Sequence, residues 1–263
     1  MSDILTEIYA AKAAHFRREE AEEPYAVVAQ RALARVAERR PFAAALTGAA
    51  GGAIVGEIKR ASPSAGLIAR NFDPAAIARV YDASGVDAIS VLTEADHFLG
   101  DLAYLDIVRA SASRPILRKD FLNTRYGIAQ SAAYGADAIL LIVAGCDDDI
   151  LRTCMDEAAR YALDVLLEVH DLAELERAGA MGATLVGINN RNLRTFETDL
   201  AVSEQLLPLL PAGVFGISES GMRNAGDLER LRAAGARGFL IGEWLMRSDD
   251  PAALIATLKC ARA

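Results

Sequence analysis

Four strings of this chain share one pattern, a glycine and small residues feeding an apolar run. They are Gly85-Val86-Asp87-Ala88-Ile89, Gly135-Ala136-Asp137-Ala138-Ile139, Gly182-Ala183-Thr184-Leu185 and Gly235-Ala236-Arg237-Gly238-Phe239. Their glycines lie 50, 47 and 53 residues apart. A second set of apolar runs begins near Ile54, Ile116, Val165 and Val214, halfway between. The chain therefore carries eight short apolar runs spaced about 25 residues apart. Runs this short, bounded by turn residues, read as strands.

The stretches between them read as helices. Ala75 to Tyr81, Ile150 to Tyr161 and Leu228 to Ala234 carry apolar residues at helical spacing. Asp73-Pro74 and Asp250-Pro251 each put an N-cap before a proline at the first helical position. Asp171-Leu172-Ala173-Glu174 has the form of a capping box. Gly85, Gly135, Gly179 and Gly235 stand where left-handed C-caps are expected.

Eight alternations of strand and helix require parallel strands with crossover helices. A closed (β/α)8 TIM barrel takes about 250 residues, and the chain has 263. A doubly wound open sheet competes, but it carries a Gly-rich phosphate loop after its first strand, and none stands there. Gly48 to Gly52 precedes that strand and reads as a linker. The expectation is one α/β domain over 1–263, with a barrel over 53–263 and a helical N-terminal extension over 1–50. In the extension, Ile4 to Glu23 and Pro24 to Arg40 read as two helices broken at Pro24. Such a pair caps one barrel end, or covers the active-site mouth and helps close over substrate.

Net charge is −8, which disfavours nucleic acid and anionic membrane as partners. An anionic ligand then requires a local basic pocket. Cys146, Cys154 and Cys260 are too few and scattered for a disulfide framework and read as reduced structural thiols of a cytoplasmic protein. No His or Cys accompanies them at zinc-ligand spacing. Met1-Ser2-Asp3-Ile4 does not read as a signal peptide, and no apolar run is long enough to span a membrane.

Barrel enzymes act at the C-terminal ends of their strands. Lys119 follows Pro115-Ile116-Leu117, Glu168 follows Val165-Leu166-Leu167, and Glu219 follows Val214-Phe215-Gly216-Ile217. The gaps between them are 49 and 51 residues. A charge closing an apolar strand is costly unless it faces a site. Side chains alternate along a strand, so Glu57 and Lys59 point the same way, whereas Arg118 and Lys119 cannot both point inward. A lysine desolvated near other cations is expected to have a lowered pKa and to act as an acid near neutral pH. Glu168 is a general-base candidate, or a partner for a lysine of another strand. Glu219 divides between substrate contact and support. His170 reads as a surface or capping residue, and His15 and His97 have no supporting pattern.

The loops after strands 7 and 8 form the phosphate cradle of this fold. Here they are Ser220-Gly221 and Ile241-Gly242-Glu243, and Lys59 and Ser62 stand ready to complete the cradle from strand 1.

Glu57-Ile58-Lys59-Arg60-Ala61-Ser62-Pro63-Ser64 resembles the signature of the indole-3-glycerol-phosphate synthase family. Ile116-Leu117-Arg118-Lys119-Asp120-Phe121, Leu167-Glu168-Val169-His170 and Ser218-Glu219-Ser220-Gly221 are similar to its motifs as well. So are Leu92-Thr93-Glu94, Phe98-Leu99-Gly100 and Gly187-Ile188-Asn189-Asn190-Arg191-Asn192-Leu193, and the order is the family's from about residue 3 to 258. The resemblance implies an enzyme of tryptophan biosynthesis that closes the ring of 1-(2-carboxyphenylamino)-1-deoxyribulose 5-phosphate, releasing CO2 and water. It implies no cofactor and no metal, and a phosphorylated small molecule as the partner. A monomer is expected, with association with other tryptophan-pathway enzymes left open.

By the same resemblance Lys119 is the general acid and Glu168 the general base. Lys59, paired with Glu57, contacts the carboxylate or serves the dehydration; the assignment of each lysine to a step stays open. Asn189, Arg191 and Glu219 hold hydroxyls and orient the catalytic groups. Ser62, Ser220, Gly221, Gly242 and the Glu243 amide surround the phosphate, and Phe98 and Phe121 clamp the anthranilate ring. Trp244 and Asp101 stand where smaller residues are expected.

Other phosphate-binding barrels compete, namely phosphoribosylanthranilate isomerase and the tryptophan synthase α subunit. The isomerase uses a cysteine–aspartate pair, and no cysteine here ends a strand in the required place. A Schiff-base aldolase and a non-catalytic binding barrel are the remaining alternatives.

Overall fold

A computed structural model describes residues 4–260. Residues 1–3 and 261–263, and the side chains of Ile4 and Cys260, lie outside that description, so the readings of Met1–Asp3 and Cys260 have no structural counterpart here.

The eight apolar runs are the eight strands of a closed parallel barrel. They are β1 Ala53–Ile58, β2 Ala88–Leu92, β3 Ile116–Lys119, β4 Ala138–Ile142, β5 Asp164–Val169, β6 Leu185–Asn189, β7 Phe215–Glu219 and β8 Gly238–Ile241. Closure runs from β8 to β1, with Ala53 opposite Gly238 and Gly56 opposite Ile241. Parallel strands buried on both faces need near-continuous apolar runs, and every residue of β1, β2, β4 and β6 to β8 is buried.

Glycines report which way the strands face. A Cβ at Gly56 would collide with the Tyr81 ring, which lies on the helix α4 (Pro74–Ala83) outside the barrel. Gly56 therefore faces outward, and alternation turns Glu57 and Lys59 inward.

The aspartates of the sequence repeat tie the N-terminal ends together. Asp87 accepts from the Ile54 amide at 2.7 Å, and Asp137 from the Ile116 amide at 2.9 Å. Asp73 caps α4, and Asp250 accepts from the Ala253 amide at the start of α12 (Pro251–Cys260). Asp171 caps α8 (Leu172–Ala180), but the reciprocal bond of the expected box is displaced by one residue. Glu174 accepts from the amide of His170 instead of that of Asp171. Gly179 lies inside α8, and Gly182, with φ at 76°, is the left-handed residue that follows it.

The extension differs from the expected two helices. α1 is Ile4–Glu22 and α2 is Tyr25–Ala34, and then the chain passes through a short turn into α3, Phe42–Thr47. The arginines that follow α2 donate to carbonyls of the barrel layer. Arg35 donates to Ala133 O, and Arg39 donates to Ala132 O and Ala136 O, at 2.6 to 2.8 Å. These carbonyls lie at and beyond the C-terminal end of α6 (Arg125–Ala133), where helical pairing runs out, and that of Ala132 accepts from the Gly135 amide as well.

Different helices of the extension pack at the two ends of the barrel. α3 closes the N-terminal end: Phe42 and Leu46 are fully buried, and the Ala43 amide donates to Asp164 at 2.8 Å. α1 packs beside the opposite end, where Tyr9 meets Phe121 edge-on at 5.7 Å. Among the described residues no helix is long and apolar enough to cross a membrane.

Candidate active site

One cavity of about 420 Å3 lies at the C-terminal ends of the strands. Glu57, Lys59, Lys119, Glu168, Asn189 and Glu219 all line it. So do Ser62, Phe98, Phe121, Arg191, Ser220, Gly221, Gly242 and Glu243.

The centre of its wall is a three-way ion cluster. Lys119 Nζ is 2.8 Å from Glu168 Oε2 and 3.0 Å from Glu219 Oε2. Glu168 Oε1 accepts from Asn189 Nδ2 at 3.0 Å, and Asn189 Oδ1 in turn accepts from the Arg191 amide at 3.1 Å. Lys59 forms a separate pair with Glu57 at 2.6 Å. The site thus presents two ammonium groups, Lys119 shared by two carboxylates and Lys59 paired with one.

Two glycines make room for these carboxylates. A Cβ at Gly187 would collide with Glu219 Oε1, and one at Gly242 with Glu57 Oε2. A side chain at either position would force the acid to move.

Protonation departs from expectation at Lys119. Burial does work to lower its pKa, but Glu168, Glu219 and Glu57 outweigh burial and hold it raised. The expected cationic neighbours are absent because Lys59 is neutralised by Glu57 and Arg118 points away. Burial also opposes charge on Glu168, yet Lys119 and His170 hold that carboxyl well below its usual range. Glu219 goes the other way: burial, with Glu168 close by, pushes it up against the pull of Lys119.

His170 is the second correction. Only 15% of its side chain is exposed, and it is an ion-pair partner of both Glu168 and Glu174. Its sequence context gave a capping signal for the neighbouring Asp171 and none for the imidazole.

Lys12 was missed altogether. It is buried on α1 and contacts Asp120 at 2.7 Å, next to Lys119 in the chain. A lysine in an Ala- and Glu-rich helix reads as solvated, and only packing against the strand end reveals it.

Lys59, Arg191, Arg223 and Arg247 line the cavity and offer positive charge to an anionic ligand within an acidic chain. Ser220 and Gly221 have φ of 64° and 85°, a left-handed pair directly after β7. The carboxylate of Glu243 is drawn to Arg247 at 2.9 Å. Arg191 donates to Ser64 Oγ at 2.6 Å and so joins the β6 loop to the hairpin Ala61–Leu67 after β1. Phe98 and Phe121 stand 6.2 Å apart on the apolar side. Trp244 lines the cavity and packs against the core; Asp101 accepts from the Ala103 amide at 2.9 Å and does not line it. Cys146 and Cys154 are buried and free, with thiols pushed up by burial, so neither is an activated nucleophile.

The family model of indole-3-glycerol phosphate synthase matches residues 5–258. The chain belongs to the indole-3-glycerol phosphate synthase family. As a member it is a carboxy-lyase of tryptophan biosynthesis. A relative of that name from Desulfotalea psychrophila is 44% identical over 261 residues, covering 98% of this chain and 99% of its own. One from Rhodospirillum rubrum is 45% identical over 254 residues, covering 95% and 96%. Among solved structures, 3-hexulose-6-phosphate synthase aligns with a TM-score of 0.61 at 18% identity, covering 80% of this chain and all of that one. Thiamine phosphate pyrophosphorylase from Pyrococcus furiosus aligns with a TM-score of 0.60 at 13% identity, covering 81% and 96%. At such identities these structures speak for the barrel alone.

Proposed function

We propose that this chain converts 1-(2-carboxyphenylamino)-1-deoxyribulose 5-phosphate into indole-3-glycerol phosphate, CO2 and water, with Lys119 as general acid and Glu168 as general base. The observation that carries this reading is the Lys119 ammonium held between Glu168 and Glu219 on the wall of the chamber that also holds the Lys59–Glu57 pair.

The chemistry needs an acid twice and a base once. In ring closure the ring carbon bearing the carboxylate attacks the ketone, whose oxygen takes a proton as the bond forms. Loss of CO2 restores the aromatic ring. Dehydration then protonates the same oxygen to leave as water, while a carboxylate removes the proton from the adjacent carbon. A raised lysine pKa suits the first step, because the developing alkoxide is a strong enough base to take the proton. Lys59 is the second ammonium, available to the substrate carboxylate or to the leaving hydroxyl. A positioned acid or base contributes about 10²–10⁴-fold.

The apolar wall supports the orientation. Phe98 and Phe121 accept the anthranilate ring, while the phosphate lies against Ser62, Ser220, Gly221, Gly242 and the Glu243 amide. Arg191 closes over the glycerol phosphate end, and Asn189 and Glu219 hold the catalytic groups. No metal or cofactor enters the scheme. The partner it needs is the phosphorylated small molecule.

The test is a fluorescence assay for indole-3-glycerol phosphate with the purified chain. Absence of product would remove the reading. Treatment with borohydride and substrate is expected to give no covalent adduct; a trapped Lys119 or Lys59 would favour the Schiff-base alternative.

A further inference from the structure

Beside the reaction chamber lies a second cavity of about 640 Å3. It shares Asn189, Arg191 and Leu193 with the first and adds Tyr9, His170 and Glu174. His170 does not line the reaction chamber. Its Nε2 nevertheless lies 3.4 Å from Glu168 Oε1, and its Nδ1 lies 3.0 Å from Glu174 Oε2. The imidazole is held at the start of α8, since Glu174 also accepts from the His170 amide at 2.8 Å. One helix end thus presents a cation to the rear of the proposed base.

We propose that His170 is a positioning residue for Glu168: its imidazolium, anchored by Glu174, keeps the Glu168 carboxylate ionised and aimed while Lys119 gives its proton to substrate. This rests on the functional reading above. The reason is charge balance. Lys119 is the nearest countercharge of Glu168, and an acid that donates its proton becomes a neutral amine. Glu168 would then stand beside Glu219 in a buried chamber, where a carboxylate readily takes up a proton. His170 supplies a cation that substrate does not consume. The Lys119 proton goes to the ketone oxygen, and His170 keeps its own throughout.

The surrounding groups favour that charge. Glu168 and Glu174 face the imidazole directly, and Lys119 and Glu219 lie beyond Glu168 on β3 and β7. Asp171, Tyr9, Arg191, Arg194, Glu197 and Asp199 line the same second cavity, from the N-cap of α8, from α1 and from the loop after β6. Burial works against protonation, but the two carboxylates outweigh it and the His170 pKa is raised to about 10. The imidazole therefore stays charged across neutral pH.

The chain has three histidines, so imidazole NMR resolves this one with His170→Gln as the assignment control. In the wild-type protein one imidazole is expected to stay protonated well above the ordinary value near 6.5. Glu174→Gln is expected to bring that titration down by about one unit or more. In kinetics, His170→Gln keeps a donor without the charge. Its kcat profile is expected to have an acid limb moved up by about one unit, a roughly tenfold loss at the foot of that limb, with KM little changed. A purely structural role would lower activity equally at all pH values. A wild-type imidazole titrating near its ordinary value, or an unmoved acid limb in His170→Gln, would overturn the proposal. A wild-type chain that makes no indole-3-glycerol phosphate would defeat the functional reading instead, and the NMR titration still judges the charge on His170.

Discussion

Arg118 and Lys119 are neighbours on β3 and face opposite sides of the barrel wall. Lys119 reaches Glu168 and Glu219 inside. Arg118 reaches Gln130 at 3.0 Å and Ser131 at 3.1 Å on α6 outside. Asp120, the next residue, accepts from Arg118 at 2.9 Å and lies 2.7 Å from Lys12 of α1. The proposed acid is therefore flanked by a buried ionic network that also fastens the N-terminal helix.

Lys119→Met should lower formation of indole-3-glycerol phosphate by about 10²-fold or more, with the barrel intact by circular dichroism. Without the ammonium, Glu219 loses its cation beside Glu168, which His170 still faces, and Glu219 is the one expected to take up a proton at neutral pH. Product formation at the wild-type rate would take Lys119 out of the mechanism.

Asp120→Asn should destabilise the protein by about 3–5 kcal/mol, because it leaves Lys12 and Arg118 buried without a countercharge. Burial disfavours the charged carboxylate, but Arg118 and Lys12 more than compensate and lower its pKa from 3.8 to about 2. A lowered carboxylate gives stability that is present above its ordinary value and lost as pH falls. The wild type should thus lose about 2 kcal/mol between pH 4 and pH 2 from this group. Urea unfolding at several pH values measures both effects. Equal acid sensitivity in the variant would remove Asp120 as the source.

Gly187→Ala and Gly242→Ala should each cut kcat while leaving the fold in place. The added methyl displaces Glu219 in the first and Glu57 in the second. A loss of about tenfold or more follows if the displaced acid no longer meets its lysine. Wild-type kinetics in both variants would show that these carboxylates have room to spare.

Phe121→Ala should raise KM and also loosen α1, since the ring touches both Phe98 and Tyr9. Phe98→Ala should raise KM with a smaller effect on thermal stability, because its ring is half-buried. Truncating a fully buried phenylalanine costs about 3–5 kcal/mol. A thermal melt beside a KM measurement separates the two residues, and identical melts would contradict the assignment of Phe121 to the α1 contact.

The barrel and the identity of its strand-end groups are legible in the order of residues alone. Eight apolar runs at near-equal spacing leave few topologies, because each strand must find a parallel neighbour through a crossover. Strand alternation put Glu57 and Lys59 on one side and split Arg118 from Lys119, since the period of two is local. The charge states and the supporting residues emerge from the folded arrangement. Lys119 is held charged because β5 and β7 bring Glu168 and Glu219 to it from 49 and 100 residues away. His170 and Lys12 acquire their partners in the same way, from a strand end and a helix start or from an N-terminal helix packed beside the end of β3. Electrostatics depends on distances through space and on exclusion of water, and neither is written in the local order of residues.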